Sequence, residues 1–124
     1  MTLAKWSLWL FAVTWIVIGV GFLLVPVSWA AALGIALPTP TARTDLRATY
    51  GGFDLAIGCF AALCALRPEW TRPGLVLMAM VAAGFGGGRL LGMLLEGSAS
   101  RMMLLFFGVE MALLGLALAA LRRV

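Results

Sequence analysis

Residues 74–95 read GLVLMAMVAAGFGGGRLLGMLL, an apolar run interrupted by one ionisable side chain, Arg89. A helix rises about 1.5 Å per residue, so such a run reaches across a hydrocarbon core, which needs roughly 20 residues. Three further runs have the same character, near Trp6–Val25, Leu46–Leu66 and Met102–Leu121. Composition agrees: of 124 residues, 64% are hydrophobic and 11% charged, against about half and about a quarter in a soluble domain. A soluble fold of this size cannot hide that much apolar surface, since even a domain of about 150 residues buries only about 70% of what it exposes unfolded. The expected fold is all-α: a four-transmembrane-helix bundle forming a single integral membrane domain over residues 1–124.

Breakers mark the joints. Pro26 ends the first run, Pro38-Thr39-Pro40 stiffens the connection to the second, and Arg67–Pro73 makes a tight polar turn into the third. Gly97 and Ser100 are suited to close the third helix and cap the fourth. Between the first two spans, Trp29, Leu33 and Leu37 recur at helical spacing. That segment, Val27–Leu37, is expected to form a short helix lying on the outer interface, where tryptophan favours the headgroup level, or folding over the bundle mouth. The first run resembles a signal peptide in its Lys5 flank and its Ser28-Trp29-Ala30 triplet. It exceeds the usual apolar core of about 7–15 residues, so it is expected to be a permanent span.

Loop charge sets the expected orientation. Lys5, Arg67, Arg72, Arg122 and Arg123 fall on one side, against Arg43, Arg101 and the helix-edge Arg47 on the other. The positive-inside rule then puts both termini in the cytoplasm, with the protein multi-pass in the inner (plasma) membrane. The net charge of +4 thus reads as topology, and no nucleic-acid partner is expected. The chain has no histidine, the commonest metal ligand and the usual neutral-pH base, so no metal or cofactor is expected. Cys59 and Cys64 lie five apart on one helix, a spacing unlike that of a redox pair, and read as packing residues.

Ionisable side chains within spans are costly and mark functional candidates. There are four: Arg47 and Asp54 in the second span, Arg89 in the third and Glu110 in the fourth. At 100° per residue, Arg47, Tyr50, Gly51, Asp54 and Gly58 share one stripe, and Phe85, Arg89, Gly92 and Glu96 another. Counted from the outer helix ends, Arg47 lies near the surface, Arg89 about 9 Å in, and Asp54 and Glu110 about 12–13 Å in. The charges cancel in pairs, so one shared site is expected, with Arg47, Tyr50, Asp54, Arg89 and Glu110 as ligand-binding candidates. A structural ion-pair clamp between helices is the competing interpretation.

Small residues are expected to bring helices together. Gly84, Gly88 and Gly92 form small-xxx-small steps, and Gly108, Ala112, Gly115 and Ala119 form a stripe on the fourth span. Packing against the first span or a homodimer would use the latter. Glycines 51, 58, 88 and 92, beside the charges, would leave room for a ligand. The run Gly86-Gly87-Gly88 is no phosphate loop, lacking a Walker lysine and a preceding strand.

The segment Arg47-Ala48-Thr49-Tyr50-Gly51-Gly52-Phe53-Asp54, with Gly88-Arg89-Leu90-Leu91-Gly92, Glu96-Gly97 and Glu110, resembles a bacterial family of small membrane proteins, domain-of-unknown-function family 4345, related in architecture to DoxX-like proteins. The resemblance covers most of the chain and implies a four-helix membrane bundle; it implies no reaction. From the residues themselves, the leading expectation is binding of a membrane lipid or a small amphipathic ligand, or service as an accessory membrane subunit. Arg47 and Arg89 would hold an anionic or carbonyl group. The alternatives are a membrane-embedded enzyme, with Asp54 or Glu110 as a general acid in isomerisation or cyclisation of an apolar substrate, and a small transporter or channel.

Overall fold

In lipid the backbone must satisfy its own hydrogen bonds, and the helix is the local way to do so. The computed structural model, describing residues 1–124, contains no strand. Its elements are α1 (Leu3–Leu24), α2 (Pro26–Ala32), α3 (Pro40–Leu46), a π-helical segment (Arg47–Phe53), α4 (Asp54–Leu66), a 3-10 turn (Pro68–Trp70), α5 (Thr71–Glu96) and α6 (Arg101–Leu121). Four helical stretches are long and apolar enough to cross a membrane: Leu3–Leu24, Pro40–Leu66, Pro68–Glu96 and Arg101–Leu121. Their outward side chains are apolar as well, with Leu94 71% and Leu95 76% exposed. This is a small multi-pass membrane protein.

The joints follow local chemistry. Pro26 and Pro40 each stand in the first turn of a helix, where the missing N–H is no loss. Thr39 Oγ1 accepts from the Ala42 N–H at 3.1 Å, capping α3. At the other end of the chain, Gly97 takes φ +62° at the C-cap of α5, the left-handed conformation glycine adopts without penalty. Ser100 then caps α6, its Oγ accepting from Met103 N–H at 3.2 Å. Hydroxyls inside the spans turn back on their own helices: Ser7 donates to Leu3 O and Thr14 to Leu10 O, both at 2.8 Å.

The chain packs as two compact units, Trp9–Leu63 and Met1–Leu8 with Cys64–Val124. In the first, α1 meets the π segment and α4 through glycines on both sides. A Cβ on Gly58 would stand 2.7 Å from Ile16 N and 2.9 Å from Ala12 O, and one on Gly19 would stand 2.8 Å from Gly51 O. The backbones therefore touch. A Cβ on Gly51 would stand 2.8 Å from Leu23 Cγ. Gly51 and Gly58 are thus filled by α1 and leave no ligand space, contrary to the sequence expectation, because the facing helix occupies the volume they vacate.

The connection between α1 and α3 folds inward. Trp29 of α2 lays its ring on Gly21, where no Cβ could fit, and meets Phe22 edge-on at 5.6 Å. Phe22, Ala30 and Leu46 form a small core, with Ile18, Leu33, Leu37 and Tyr50 packed against it. The short helix between the first two spans is present, and its tryptophan is half-buried on α1.

In the second unit α5 and α6 form an antiparallel hairpin. Gly74, Leu75, Met78, Ala82 and Gly86 form the buried stripe of α5, and Glu110, Leu113, Ala117 and Ala120 that of α6. A Cβ on Gly74 would collide with Cys64 and stand 2.9 Å from Leu8 Cδ2. The sequence placed close approach at Gly84, Gly88 and Gly92; a Cβ on any of these meets nothing within 4 Å. Gly74 and Gly86, one phase away, are the glycines against which neighbours pack.

Candidate functional site

Arg89 lies on the half-buried edge of the α5 stripe and Glu110 within the buried stripe of α6. Arg89 stands seven positions before Glu96 at the end of α5, which places it about 10 Å along the axis from that end. Arg89 Nε donates to Glu110 Oε1 at 2.7 Å, with side-chain exposures of 26% and 11%. The distance is that of a charge-assisted bond. Two aromatic rings lie beside the cation: its Cζ is 5.0 Å from the Phe106 centroid and 6.0 Å from that of Phe85, within cation–π range.

The pair is incompletely satisfied. A guanidinium has five N–H donors in a planar fork. Here Nε is committed to Glu110, and Nη1 reaches only the Met103 thioether, at 3.6 Å. The carboxylate has spare capacity too, because Glu110 Oε2 is buried and has no hydrogen-bond partner. Gly86 faces it: the position of a Gly86 Cβ lies 3.7 Å from Glu110 Oε2 and in contact with the terminal methyl of Met111.

The remaining candidates belong to the other unit. Arg47 is exposed, and its Nε donates to Leu23 O at 3.0 Å. Leu23 is in the last turn of α1, whose final carbonyls lack intrahelical donors and favour a cation. Tyr50 is half-buried, its ring 5.1 Å from Phe22 and tilted by 31°. Asp54 opens α4, is only 2% exposed, and has no partner for Oδ2. Of the four charges within the spans, Arg89 and Glu110 form an ion pair, while Arg47 and Asp54 do not pair with each other.

The π segment explains why Arg47 and Asp54 part company. Stepping the sequence at 100° assumes an α-helix from Arg47 onward, whereas Arg47–Phe53 is wound as a π-helix, with bonds to the fifth residue and a wider turn. Gly51, Asp54, Ile57 and Gly58 remain buried together, but Arg47 leaves that face.

Sequence reasoning missed Met103, Phe106 and Met111. Their types look like apolar filler, and only the recurrence of Met103, Phe106 and Glu110 along one α6 face signals that they surround a charge. Glu96 stands exposed at the end of α5. No three His, Cys, Asp or Glu side chains converge to hold a metal ion, and both cysteines are free, with Cys64 buried against Gly74.

A family model described as a domain of unknown function, DUF4345, matches residues 3–121. No curated protein and no solved structure matches the chain.

Proposed function

The chain belongs to the DUF4345 family, and from that premise we propose a ligand-binding membrane protein whose Arg89–Glu110 pair holds the polar head of a lipid-like or small amphipathic molecule. The observation that carries this reading is the incomplete use of the Arg89 guanidinium. One nitrogen is bound to Glu110, a second faces only a thioether, and 26% of the side chain is exposed on an otherwise apolar hairpin. Unused donors are costly in a bilayer, so an anionic or carbonyl oxygen is the favoured addition. A pair serving only to fasten α5 to α6 could be replaced by apolar packing without loss.

The test is purification in mild detergent followed by native mass spectrometry. One amphipathic species is expected to be retained by the parent protein and lost from Arg89→Ala. If neither protein retains one in any detergent, the reading falls.

In this reading the protein lies in the inner (plasma) membrane with both termini cytoplasmic, following the excess of Lys5, Arg67, Arg72, Arg122 and Arg123 over Arg43, Arg47 and Arg101. Thiol labelling of Thr39→Cys in a cysteine-free background is expected from the outside only. A second copy would meet the exposed α6 stripe of Gly108, Ala112, Gly115 and Ala119, and oxidative cross-linking of Ala112→Cys in membranes tests that contact. A second functional reading, general-acid catalysis on an apolar substrate, has in its favour the buried, unpartnered Asp54 carboxyl. It requires a turnover abolished by Asp54→Asn and surviving Arg89→Ala.

A further inference from the structure

Resting on the reading of Arg89–Glu110 as a headgroup site, we infer that the site selects lipids whose head carries a hydrogen-bond donor, an ammonium N–H or a hydroxyl, beside its anionic oxygen. Two unfilled positions lie side by side on the α5–α6 hairpin. On the arginine the guanidinium has donors to spare, calling for an oxygen; on the glutamate Oε2 is a buried acceptor with no donor. A simple anion satisfies the first position and leaves the second empty. A head that combines an anionic oxygen with an N–H or O–H group a few bonds away satisfies both.

What lies beside these atoms supports exchange. Met103 Sδ stands 3.6 Å from Arg89 Nη1, and the Met111 methyl and Glu110 Oε2 both lie within 4 Å of the vacant Cβ position of Gly86. Thioethers are flexible and only weak hydrogen-bond acceptors. The movable end of a methionine thus stands against Arg89 Nη1, and that of another lies beside the Gly86 surface that faces Glu110 Oε2. Phe85 and Phe106 keep the guanidinium within cation–π range whatever the methionines do.

A headgroup methylation series isolates the donor. Phosphatidylethanolamine, its N-methyl and N,N-dimethyl derivatives and phosphatidylcholine share one phosphate and one zwitterionic charge, but the last has no N–H. Delipidated full-length protein is offered each lipid with identical acyl chains, and bound lipid is counted by native mass spectrometry. Retention is expected to persist through the dimethyl lipid and to fall about tenfold or more at phosphatidylcholine, the scale of losing a hydrogen bond to a charged group. In Glu110→Gln the amide can place its N–H2 where Oε2 stood, and the ratio between the first and last lipids is expected to approach one. Equal retention across the series by the parent protein overturns the donor inference and leaves the headgroup site standing. Retention of none of these lipids, with Arg89→Ala indistinguishable from the parent, removes the site and the inference together. Because the methylation series on the parent protein decides the question, a failure of Glu110→Gln to fold does not protect the inference.

Discussion

Gly58 in α4 and Gly88 in α5 both interrupt apolar spans, yet a Cβ on Gly58 would stand 2.7 Å from Ile16 N whereas one on Gly88 would meet nothing within 4 Å. The two carboxyls differ in the opposite sense. Asp54, in the unit where glycines are tightly packed, has no partner for Oδ2; Glu110, near glycines that are mostly open, is bound to Arg89. Tight backbone contact and a formed ion pair are thus alternative ways of fixing one helix against another. Where α1 meets α4, main chain lies on main chain and no charge is needed; where α5 meets α6 the end bearing Arg89 is held by a bond between side chains.

The largest effect is expected from side chains forced between backbones. Gly58→Leu should abolish recovery of folded protein, because Ile16 N and Ala12 O are main-chain atoms that cannot rotate away. Gly88→Leu should assemble normally and match the parent melting temperature or exceed it, since glycine in a helix interior costs about 0.5–1 kcal/mol relative to alanine. Size-exclusion profiles and thermal melts of the two variants, compared side by side, break the contrast if Gly58→Leu folds.

Next comes the ion pair. Arg89→Ala leaves Glu110 buried and uncompensated, at a cost of about 3–5 kcal/mol. Glu110→Ala should cost less, because Arg89 is partly exposed and can reach toward the membrane surface. The double variant should lose less than the two singles together. Additive shifts in such a cycle would show that the residues act independently.

The smallest effect is expected at Asp54. With no partner for Oδ2 there is little to lose, so Asp54→Asn should melt within about 0.5 kcal/mol of the parent or above it. A large destabilisation would reveal a bond to that carboxyl and erase the difference from Glu110.

Much of this arrangement was legible in the residues. Run length and breakers gave the four spans; Gly97 and Ser100 gave the turn between α5 and α6; the cost of buried charge picked out Arg47, Asp54, Arg89 and Glu110 without saying which of them would pair. Three things were not legible. Which glycine packs depends on what faces it, so the Gly84-Gly88-Gly92 pattern was the more regular one, yet Gly86 receives the neighbour. Trp29 carries no mark in the sequence that says which face of α1 its ring will cover. Met103 and Met111 are chemically plain until the charge they cover is located.

The π segment has a consequence for comparing this chain with its family. Between Arg47 and Phe53 each turn accommodates more residues than the α-helix that follows. A relative one residue shorter there could wind the same stretch as ordinary helix and leave α4 undisturbed. Six α-helical steps turn the chain about as far as seven π-helical ones, so its arginine would keep nearly the direction in which Arg47 reaches Leu23 O. A single-residue gap at this place in an alignment would therefore mark a change of winding that leaves the tie between the first two spans in place.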